Sequence, residues 1–232
     1  MIKENLTIVI PCKNEEAYIG KTLEQISLQN GIDETRVIIA DGGSADGTLS
    51  AINDFKENSN LKIEIIKGGS VSEGRNNGAF VCDTEFILFV DADTHFLEKD
   101  IIEKSLEAIK HNELVTCKIK CIVKDPRATV IFFIFNIVQK LMTESFSTGV
   151  FMLIRKDTFK KLGGFDLTLH QSEDYLLTRK IPKRRFLIIK RHVGQDNRRF
   201  KKMGYMGMLS MVVKNWINRH NEDHFRKNIN YW

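Results

Sequence analysis

The stretch FILFVDADTHF, from Phe86 to Phe96, decides the fold. Its first half, Phe86 to Val90, is an apolar run rich in aromatic and β-branched side chains, typical of a strand buried on both faces of a parallel sheet. Asp91 and Asp93 follow at the carboxyl end of that strand, where α/β folds bind ligands. Two carboxylates there suit a hard divalent cation that also holds phosphate oxygens. They equally suit the first turn of a following helix, so both interpretations stay open at this point.

The composition is that of an ordinary soluble globular protein. The 232 residues are 42% hydrophobic and 28% charged, which is enough for one sizeable core. No run of 18 apolar residues occurs, so we expect no transmembrane helix. The longest apolar run, Val130 to Val138, is interrupted by Asn136 and is predicted to lie in the core or at a membrane interface. Four cysteines without a CxxC pair, and no secretory signal pattern, predict free thiols and a cytoplasmic protein.

Positive charge is concentrated at the C-terminal end. From Arg179 to Trp232 there are 15 Lys and Arg against 3 Asp and Glu, whereas the preceding part holds 20 basic and 27 acidic residues. This asymmetry predicts an anionic neighbour (a membrane surface, a nucleic acid or a phosphorylated ligand) or simply a solvated basic face. From Lys201 onward, apolar residues mix with Lys and Arg, as in a helix that lies on an anionic bilayer or one that packs back on its domain. We predict peripheral contact with a membrane, on its inner face.

Strands and helices alternate along the first 115 residues, which predicts a doubly wound, mostly parallel sheet flanked by helices. Asn14 and Asp46 are predicted helix N-caps, and Ser70 and Glu73 have the spacing of a capping box. The predicted strands are Leu6–Ile10, Arg36–Ala40, Leu61–Lys67, Phe86–Val90 and Leu114–Val123.

Polar residues follow three of these strands directly, and parallel strands all end at the same edge of a sheet. Pro11 to Glu15, Asp41, and the pair Asp91 and Asp93 should therefore meet in space. The GxGxxG and GxxxxGK[ST] patterns are absent, which removes the main support for a dinucleotide-dependent oxidoreductase or a P-loop ATPase.

Six motifs in this order resemble those of family 2 glycosyltransferases of GT-A fold, in register from about Leu6 to Leu177. They are PCKNEE (Pro11–Glu16), ADGGSADGT (Ala40–Thr48), SEGRNNGA (Ser72–Ala79), VDADT (Val90–Thr94), KKLGGFD (Lys160–Asp166) and SEDYLL (Ser172–Leu177). The resemblance implies a GT-A domain over residues 1–200, followed by a basic amphipathic C-terminal extension over residues 201–232. It implies transfer of a sugar from a UDP- or GDP-sugar to a hydroxyl or phosphate acceptor, lipid-linked acceptors included, in glycan or cell-envelope synthesis.

The resemblance also implies roles for individual residues. Glu173 and Asp174 are the implied catalytic pair, in which Asp174 matches the base that activates the acceptor. Asp93 and Asp91 match the ligands of Mg²⁺ or Mn²⁺, and His192 is a candidate to complete the metal shell. The residues implied for nucleotide-sugar binding are Pro11, Lys13, Glu15, Asp41, Arg75 and Asp91. Arg198 and Arg199 are candidates to clamp the diphosphate, because guanidinium forks match phosphate oxygens; a surface role is the alternative.

The chemistry of sugar transfer agrees with these roles. The leaving diphosphate develops charge that a metal stabilises, and the attacking hydroxyl loses a proton that a carboxylate accepts. A single in-line displacement inverts the anomeric centre, so no enzyme nucleophile of the retaining-glycosidase kind is required.

Two other classes remain as alternatives. A haloacid-dehalogenase-like phosphatase has its DxDx[TV] motif near the N-terminus, whereas here His95 stands in the last position and the motif lies 90 residues into the chain. A non-catalytic nucleotide-sugar- or nucleic-acid-binding protein would not need both Asp93 and Asp174. No signature of RNA recognition is present, so we expect no nucleic-acid partner.

Overall fold

Four parallel strands form one half of the sheet, as the alternating sequence predicts. They are β1 (Leu6–Cys12), β2 (Arg36–Asp41), β3 (Lys62–Lys67) and β4 (Phe86–Phe89). β1 lies between β2 and β4, and β3 pairs with the outer side of β2. β1 and β4 are buried along their whole length, in keeping with a sheet covered on both faces. The structure is a computed structural model that describes residues 5–227; the last five residues of the predicted C-terminal extension lie outside this range.

The second half of the sheet is mixed, but only β7 and β5 run against the other six strands, so the sheet is mostly parallel, as predicted. Its strands are β5 (His95–Phe96), β6 (Leu114–Cys121), β7 (Met152–Arg155) and β8 (Phe186–Gln195). The order across the sheet is β3-β2-β1-β4-β7-β6-β8-β5. The short strand β7 enters between β4 and β6 and runs antiparallel to both, whereas β6 and β8 are parallel. The uninterrupted parallel region therefore ends at β4, the strand that Asp91 and Asp93 follow.

Helices cover the sheet and supply much of the site. They are α1 (Ile19–Ser27), α2 (Thr48–Glu57), α3 (Val71–Phe80), α4 (Ile101–Ile109), α5 (Pro126–Leu141), α6 (Lys156–Lys161), α7 (Glu173–Thr178), α8 (Arg198–Met203), α9 (Tyr205–Ile217) and α10 (Glu222–Phe225). None of the helices within residues 5–227 combines the length and the apolarity needed to cross a bilayer. All four cysteines are free, as predicted.

The predicted N-caps have mixed outcomes. The prediction for Asn14 is wrong, because α1 begins only at Ile19 and Asn14 adopts a left-handed φ of 54°. The Asn14 side chain instead accepts a hydrogen bond from the backbone N–H of Ala45 at 2.8 Å, which ties two loops together. Asp46 lies one residue before the observed N-cap of α2, but its carboxylate still accepts from the backbone N–H of Thr48 at 3.1 Å.

The predicted capping box at the start of α3 is confirmed. The Ser70 hydroxyl accepts from the backbone N–H of Glu73 at 3.3 Å, and the Glu73 carboxylate accepts from that of Ser70 at 2.6 Å. These reciprocal bonds satisfy two backbone donors that a helix otherwise leaves unpaired. They fix the start of the helix that carries Arg75.

Helix α5 contains the apolar run from Val130 to Val138, which is predicted to lie in the core or at a membrane interface. Asp125 is its N-cap, and Pro126 occupies the first turn. Asn136 accepts from the backbone N–H of Ile119 at 3.0 Å and donates to its carbonyl at 2.8 Å. β7 pairs with β6 only as far as Val115, so Asn136 satisfies backbone groups that this strand leaves open. The polar residue within the apolar run thus anchors the helix to the sheet.

The described part of the predicted extension, residues 201–227, is helical and packs on the domain. Met208 shares a buried cluster with Phe200 and Ala128. Phe225 is fully buried against Tyr175 and its neighbours. The boundary at residue 200 stays a prediction.

Close packing of α3 on β1 leads to a stability prediction. A β-carbon added at Gly78 would lie 2.3 Å from Val9 Cγ1, so Gly78→Ala should lower the free energy of unfolding by about 1–3 kcal/mol through overpacking. Gly20 in α1 has nothing within 4 Å of an added β-carbon, so Gly20→Ala should leave stability unchanged or raise it by up to about 1 kcal/mol. Urea denaturation of both variants measures the difference; equal effects would contradict the packing described here.

Candidate active site

A buried guanidinium joins two distant parts of the chain. Arg75 is 1% exposed; its Nη2 lies 2.7 Å from Asp91 Oδ1 and its Nη1 lies 2.7 Å from Glu173 Oε1. Burial alone would lower the pKa of Arg75, but the charges of Asp91, Glu173 and Asp174 outweigh it and raise that pKa. Arg75 therefore remains a cation that holds the end of β4 against the start of α7.

Gly149 completes this cluster, although no sequence pattern predicts it. A β-carbon there would lie 1.7 Å from Arg75 Nη2, so only glycine lets the backbone pass so close to the guanidinium. The backbone N–H of Gly149 donates to Asp174 Oδ2 at 3.0 Å. No hydrophobic period or turn pair marks this position, so only the packing of the folded chain reveals it.

A second guanidinium links the first strand end to the second aspartate. Arg198 makes two hydrogen bonds to the Glu15 carboxylate, at 2.7 and 2.8 Å, and lies 2.7 Å from Asp93 Oδ2. It also lies over the Tyr18 ring, 4.6 Å from its centroid. Gln195 donates to Asp93 Oδ1 at 3.1 Å. Both carboxylate oxygens of Asp93 therefore have protein partners.

In this second cluster, burial and the charge of Arg198 shift the pKa of Glu15 in opposite directions. Burial raises the pKa of Glu15, and the hydrogen bond from Arg198 only partly offsets the effect. Burial alone would lower the pKa of Arg198, but the bonds to Glu15 and the charge of Asp93 raise it overall. Arg198 thus serves as an internal counter-cation between two acids at the sheet edge.

The predicted base, Asp174, and its neighbour Glu173 have different partners and different exposure. Glu173 is buried and directed at Arg75, whereas Asp174 is partly exposed and accepts from the backbone N–H groups of Gly149 and Tyr175. Burial among protein atoms, and then the Glu173 charge, raise the pKa of Asp174 to about 7. Ser172, which precedes the pair, has a left-handed φ of 55°, a conformation rare for non-glycine residues and common near functional sites.

The residues predicted to hold the nucleoside lie at the ends of β1 and β2. Pro11 is in β1, Lys13 is exposed just beyond it, and the pairing of the two strands continues to Asp41. One Asp41 oxygen accepts from the backbone N–H of Gly43 at 3.0 Å, and the other accepts from the Ser44 hydroxyl at 2.6 Å. These bonds shape the loop; recognition of a base by Asp41 stays a prediction.

His192 is not brought to the two aspartates. Its Nδ1 lies 3.0 Å from Glu98 Oε1, and it precedes Gln195 by three residues of extended strand, about 10 Å. Gln195 is the β8 residue that contacts Asp93, and His192 pairs with Glu98 instead; its place in the metal shell stays a prediction. Arg199 lies half-buried on α8 beside Arg198; its role at the diphosphate stays a prediction.

The acids suit a cation that arrives with a diphosphate rather than one held by protein alone. No group of three or more His, Cys, Asp or Glu side chains able to hold a metal occurs within residues 5–227. Mg²⁺ is commonly bound through one or two carboxylates together with phosphate oxygens and water, and Asp91 and Asp93 supply that donor set. Because Arg198 already contacts Asp93, a cation bound there would replace it as the partner of that carboxylate.

Solved structures with this architecture identify the fold class. TarS of S. aureus in complex with UDP-GlcNAc has a TM-score of 0.66 at 21% identity, over 84% of this chain and 59% of that chain. Mannosyltransferase PcManGT from Pyrobaculum calidifontis, in complex with GDP-Man and Mn²⁺, has a TM-score of 0.67 at 19% identity, over 90% of this chain and 64% of that chain. The chain has the fold of the GT-A glycosyltransferases, as predicted.

Sequence comparison then gives the family. The model of glycosyl transferase family 2 matches residues 7–163, more than half of the chain, so the chain belongs to this family. Glycosyltransferase YfnE of Bacillus subtilis, itself uncharacterized, is 31% identical over 113 residues, 48% of this chain and 29% of its own length. Poly-beta-1,6-N-acetyl-D-glucosamine synthase of Staphylococcus epidermidis is 26% identical over 182 residues, 70% of this chain and 42% of its own length. The chain spans less than half of either relative.

The raised pKa of Asp174 predicts how stability depends on pH. A carboxyl whose pKa rises from 3.8 to about 7 on folding binds a proton more tightly in the folded state. Its contribution to stability is therefore present below pH 4 and lost as the pH rises through 7. Asp174→Asn removes this loss, so the variant should gain stability relative to the native protein between pH 5 and pH 8.

Urea denaturation at pH 5 and pH 8 measures this change. Asp83→Asn, at an exposed aspartate outside the site, is the control and should show no such gain. A difference between Asp174→Asn and the native protein that is the same at both pH values would contradict the raised pKa.

Proposed function

We propose that this chain is a metal-dependent, inverting glycosyltransferase that uses a nucleotide diphosphate sugar, a UDP- or GDP-sugar. The observation that carries the proposal is the gathering of acids from distant positions at one sheet edge by two guanidiniums. Arg75 links Asp91 to Glu173, and Arg198 links Glu15 to Asp93. Membership of glycosyl transferase family 2 and the nucleotide-sugar complexes of TarS and PcManGT support it.

Asp174 is the proposed catalytic base. Its partly exposed carboxylate faces the site and is held by the backbone N–H groups of Gly149 and Tyr175. A base with a pKa of about 7 takes a proton from an acceptor hydroxyl efficiently near neutral pH. Glu173 is directed away, at Arg75, so its proposed role is to position Arg75 and the start of α7 rather than to move a proton.

Asp91 and Asp93 are the proposed ligands of Mg²⁺ or Mn²⁺. A divalent cation bound there with the donor would neutralise charge on the leaving diphosphate. The carboxylates accept the cation, and Arg198, displaced from Asp93, is then available to bind phosphate oxygens through its planar fork. Glu15 keeps the guanidinium close to the sheet edge during this exchange, because it makes two hydrogen bonds to it.

The proposed acceptor is a hydroxyl or phosphate group, and lipid-linked molecules are among the proposed acceptors. A lipid-linked acceptor requires contact with a bilayer, and the basic residues 201–232 are proposed to provide it. The protein is accordingly proposed to be cytoplasmic and peripheral on the inner face of the membrane, with a role in glycan or cell-envelope synthesis.

Donor binding gives the direct test. In a thermal-shift panel of UDP- and GDP-sugars, one donor should raise the unfolding temperature only when Mn²⁺ is present, since binding to the folded state stabilises it. Asp93→Asn should abolish this shift. It should also abolish the slow metal-dependent hydrolysis of that donor without acceptor, which separates a transferase from a non-catalytic binder.

Two matched variants control this experiment. His192→Gln should retain the Mn²⁺-dependent shift, because His192 pairs with Glu98 rather than with the aspartates. Asp83→Asn removes an exposed carboxylate outside the site and should also retain it. A panel in which no donor stabilises the protein in the presence of Mn²⁺ would refute the proposed function.

Substitution of Arg198 should change cation binding and donor binding in opposite directions. Arg198→Ala leaves the buried Asp93 without its counter-cation, so Mn²⁺ alone should raise the unfolding temperature of the variant by about 2–4 °C more than that of the native protein, for roughly 1 kcal/mol of added binding. Donor affinity in the presence of Mn²⁺ should fall at least tenfold, as a charge-assisted contact is worth about 1.5–3 kcal/mol.

The control for this substitution is Arg191→Ala. Arg191 is also bound to a carboxylate through two contacts, those to Asp100, but it lies outside the site and its removal should change neither quantity. If Arg198→Ala weakened Mn²⁺ binding and donor binding together, the exchange between arginine and cation would be wrong.

A further inference from the structure

Two helices carry most of the exposed large apolar side chains of the described residues. Twelve of the 21 such residues within 5–227 lie on α5 and α9, which together make up 29 residues. Their exposed fractions run from 39% to 77%. The residues are Val130, Phe133, Ile134, Ile137, Val138 and Leu141 on α5, and Met206, Leu209, Val212, Val213, Trp216 and Ile217 on α9. We call these twelve residues the two-helix surface.

Both helices also make contacts on their inner faces, so their exposed apolar residues are additional to those that pack on the domain. α5 turns Ala128 into a buried cluster with Met208 of α9, and Phe132 packs edge-on against Phe200 at 5.5 Å. Asn136 binds the β6 backbone. The inner faces are thus fully engaged while the outer faces are apolar as well. A helix that is apolar all round normally lies in a protein core or in lipid.

The charged side chains on α5, α8 and α9 are all basic, and the one acid at the start of α5, Asp125, is hydrogen-bonded to Asn197 and Tyr205. The segments 126–141 and 198–217 contain no Asp or Glu. Lys201 and Lys202 are exposed on α8, Lys214 lies on α9, and Arg127 and Lys140 lie near the two ends of α5. Contact with a second copy of this chain would bring these like charges together. An anionic bilayer complements both the charges and the apolar residues.

The surface is also connected to the active site. Phe135 of α5 contacts Phe146, and Phe146 contacts Tyr175 of α7, each pair at 5.3 Å between ring centroids. At the other side, Asn215 of α9 donates to the Ser172 hydroxyl at 3.2 Å. Both helices therefore support α7, the element that carries the proposed base.

We infer that α5 and α9 together form a docking surface for an anionic lipid bilayer. The helices lie at the lipid–water boundary with Phe133, Ile137, Leu209 and Trp216 among the acyl chains, while the lysines contact the headgroups. The inference extends the proposed membrane contact from the C-terminal residues to α5, a helix in the middle of the chain. Only the assignment of a lipid-linked acceptor rests on the proposed function; the surface itself does not.

Flotation of the full-length protein with vesicles tests this surface. The native protein should float with vesicles that contain phosphatidylglycerol and should not float with pure phosphatidylcholine, and raised salt should weaken the binding. Phe133→Gln/Ile137→Gln on α5 should reduce binding at least roughly tenfold, because two apolar side chains no longer enter the lipid. Lys201→Gln/Lys202→Gln should reduce it roughly 25-fold, at about fivefold for each lysine.

Matched controls use exposed residues elsewhere in the chain. Phe80 is 88% exposed at the end of α3, so Phe80→Gln is the control for the α5 variant. Lys62→Gln/Lys99→Gln, at exposed lysines distant in sequence from both helices, is the control for the lysine variant. Neither control should change flotation. Every variant exchanges exposed residues for glutamine, and a cooperative urea transition verifies that each one folds.

Three results would overturn the inference. They are absence of binding to anionic vesicles, binding that the α5 variant leaves intact, and a dimer by light scattering that the α5 variant dissociates, which would show that a second copy covers the surface. Mn²⁺-dependent stabilisation by the donor, measured in the same proteins, separates this inference from the proposed function. A native protein that floats but binds no donor would refute the function and support the surface.

Discussion

A buried cation with two anionic partners from distant parts of the chain is the constraint on which the site depends. Arg75 is almost fully enclosed, and its charge is compensated by Asp91 at the end of β4 and by Glu173 at the start of α7. Breaking such a buried pair typically destabilises a protein by about 3–5 kcal/mol, because an uncompensated charge remains inside. Folding with Arg75 paired therefore brings the end of β4 and the start of α7 together. The same contacts that hold the domain also define the distance across its candidate active site.

The two guanidiniums of the site have different freedom to move. Arg75 is confined by the Gly149 backbone and lies over the Phe165 ring, so it serves as a fixed part of the framework. Arg198 begins α8, keeps a third of its side chain exposed and contacts acids at the open edge. A bound cation would compete with Arg198 for its carboxylate partners, and a diphosphate would compete with those carboxylates for the guanidinium. Arg75 is thus confined inside the domain, whereas Arg198 is partly exposed at the edge of the candidate site.

The sequence predicts the parallel half of the sheet, β1 to β4, where the apolar runs and the alternation of strands with helices indicate the same arrangement. Apolar runs followed by acids identify β1, β2 and β4, because parallel strands must end at one edge, and the capping box of Ser70 identifies the start of α3. The antiparallel insertion of β7 could not be predicted, since four residues carry no information about direction or neighbour. Asn is a residue type favoured at helix N-caps, but Asn14 lies in a loop, where tertiary hydrogen bonds override that preference. The roles of Gly149 and His192 depend on contacts across the fold, which no spacing within the chain encodes.

The bond pair between Asn136 and the backbone of Ile119 has a mechanical consequence. A helix attached to a strand at a single mid-length point by both a donor and an acceptor cannot roll about its long axis without breaking both bonds. The outward side of α5 therefore keeps one angle relative to the sheet and to every residue mounted on it. The orientation of the candidate active site relative to the outward side of α5 is therefore set by contacts within the domain. It stays the same when α5 contacts another surface.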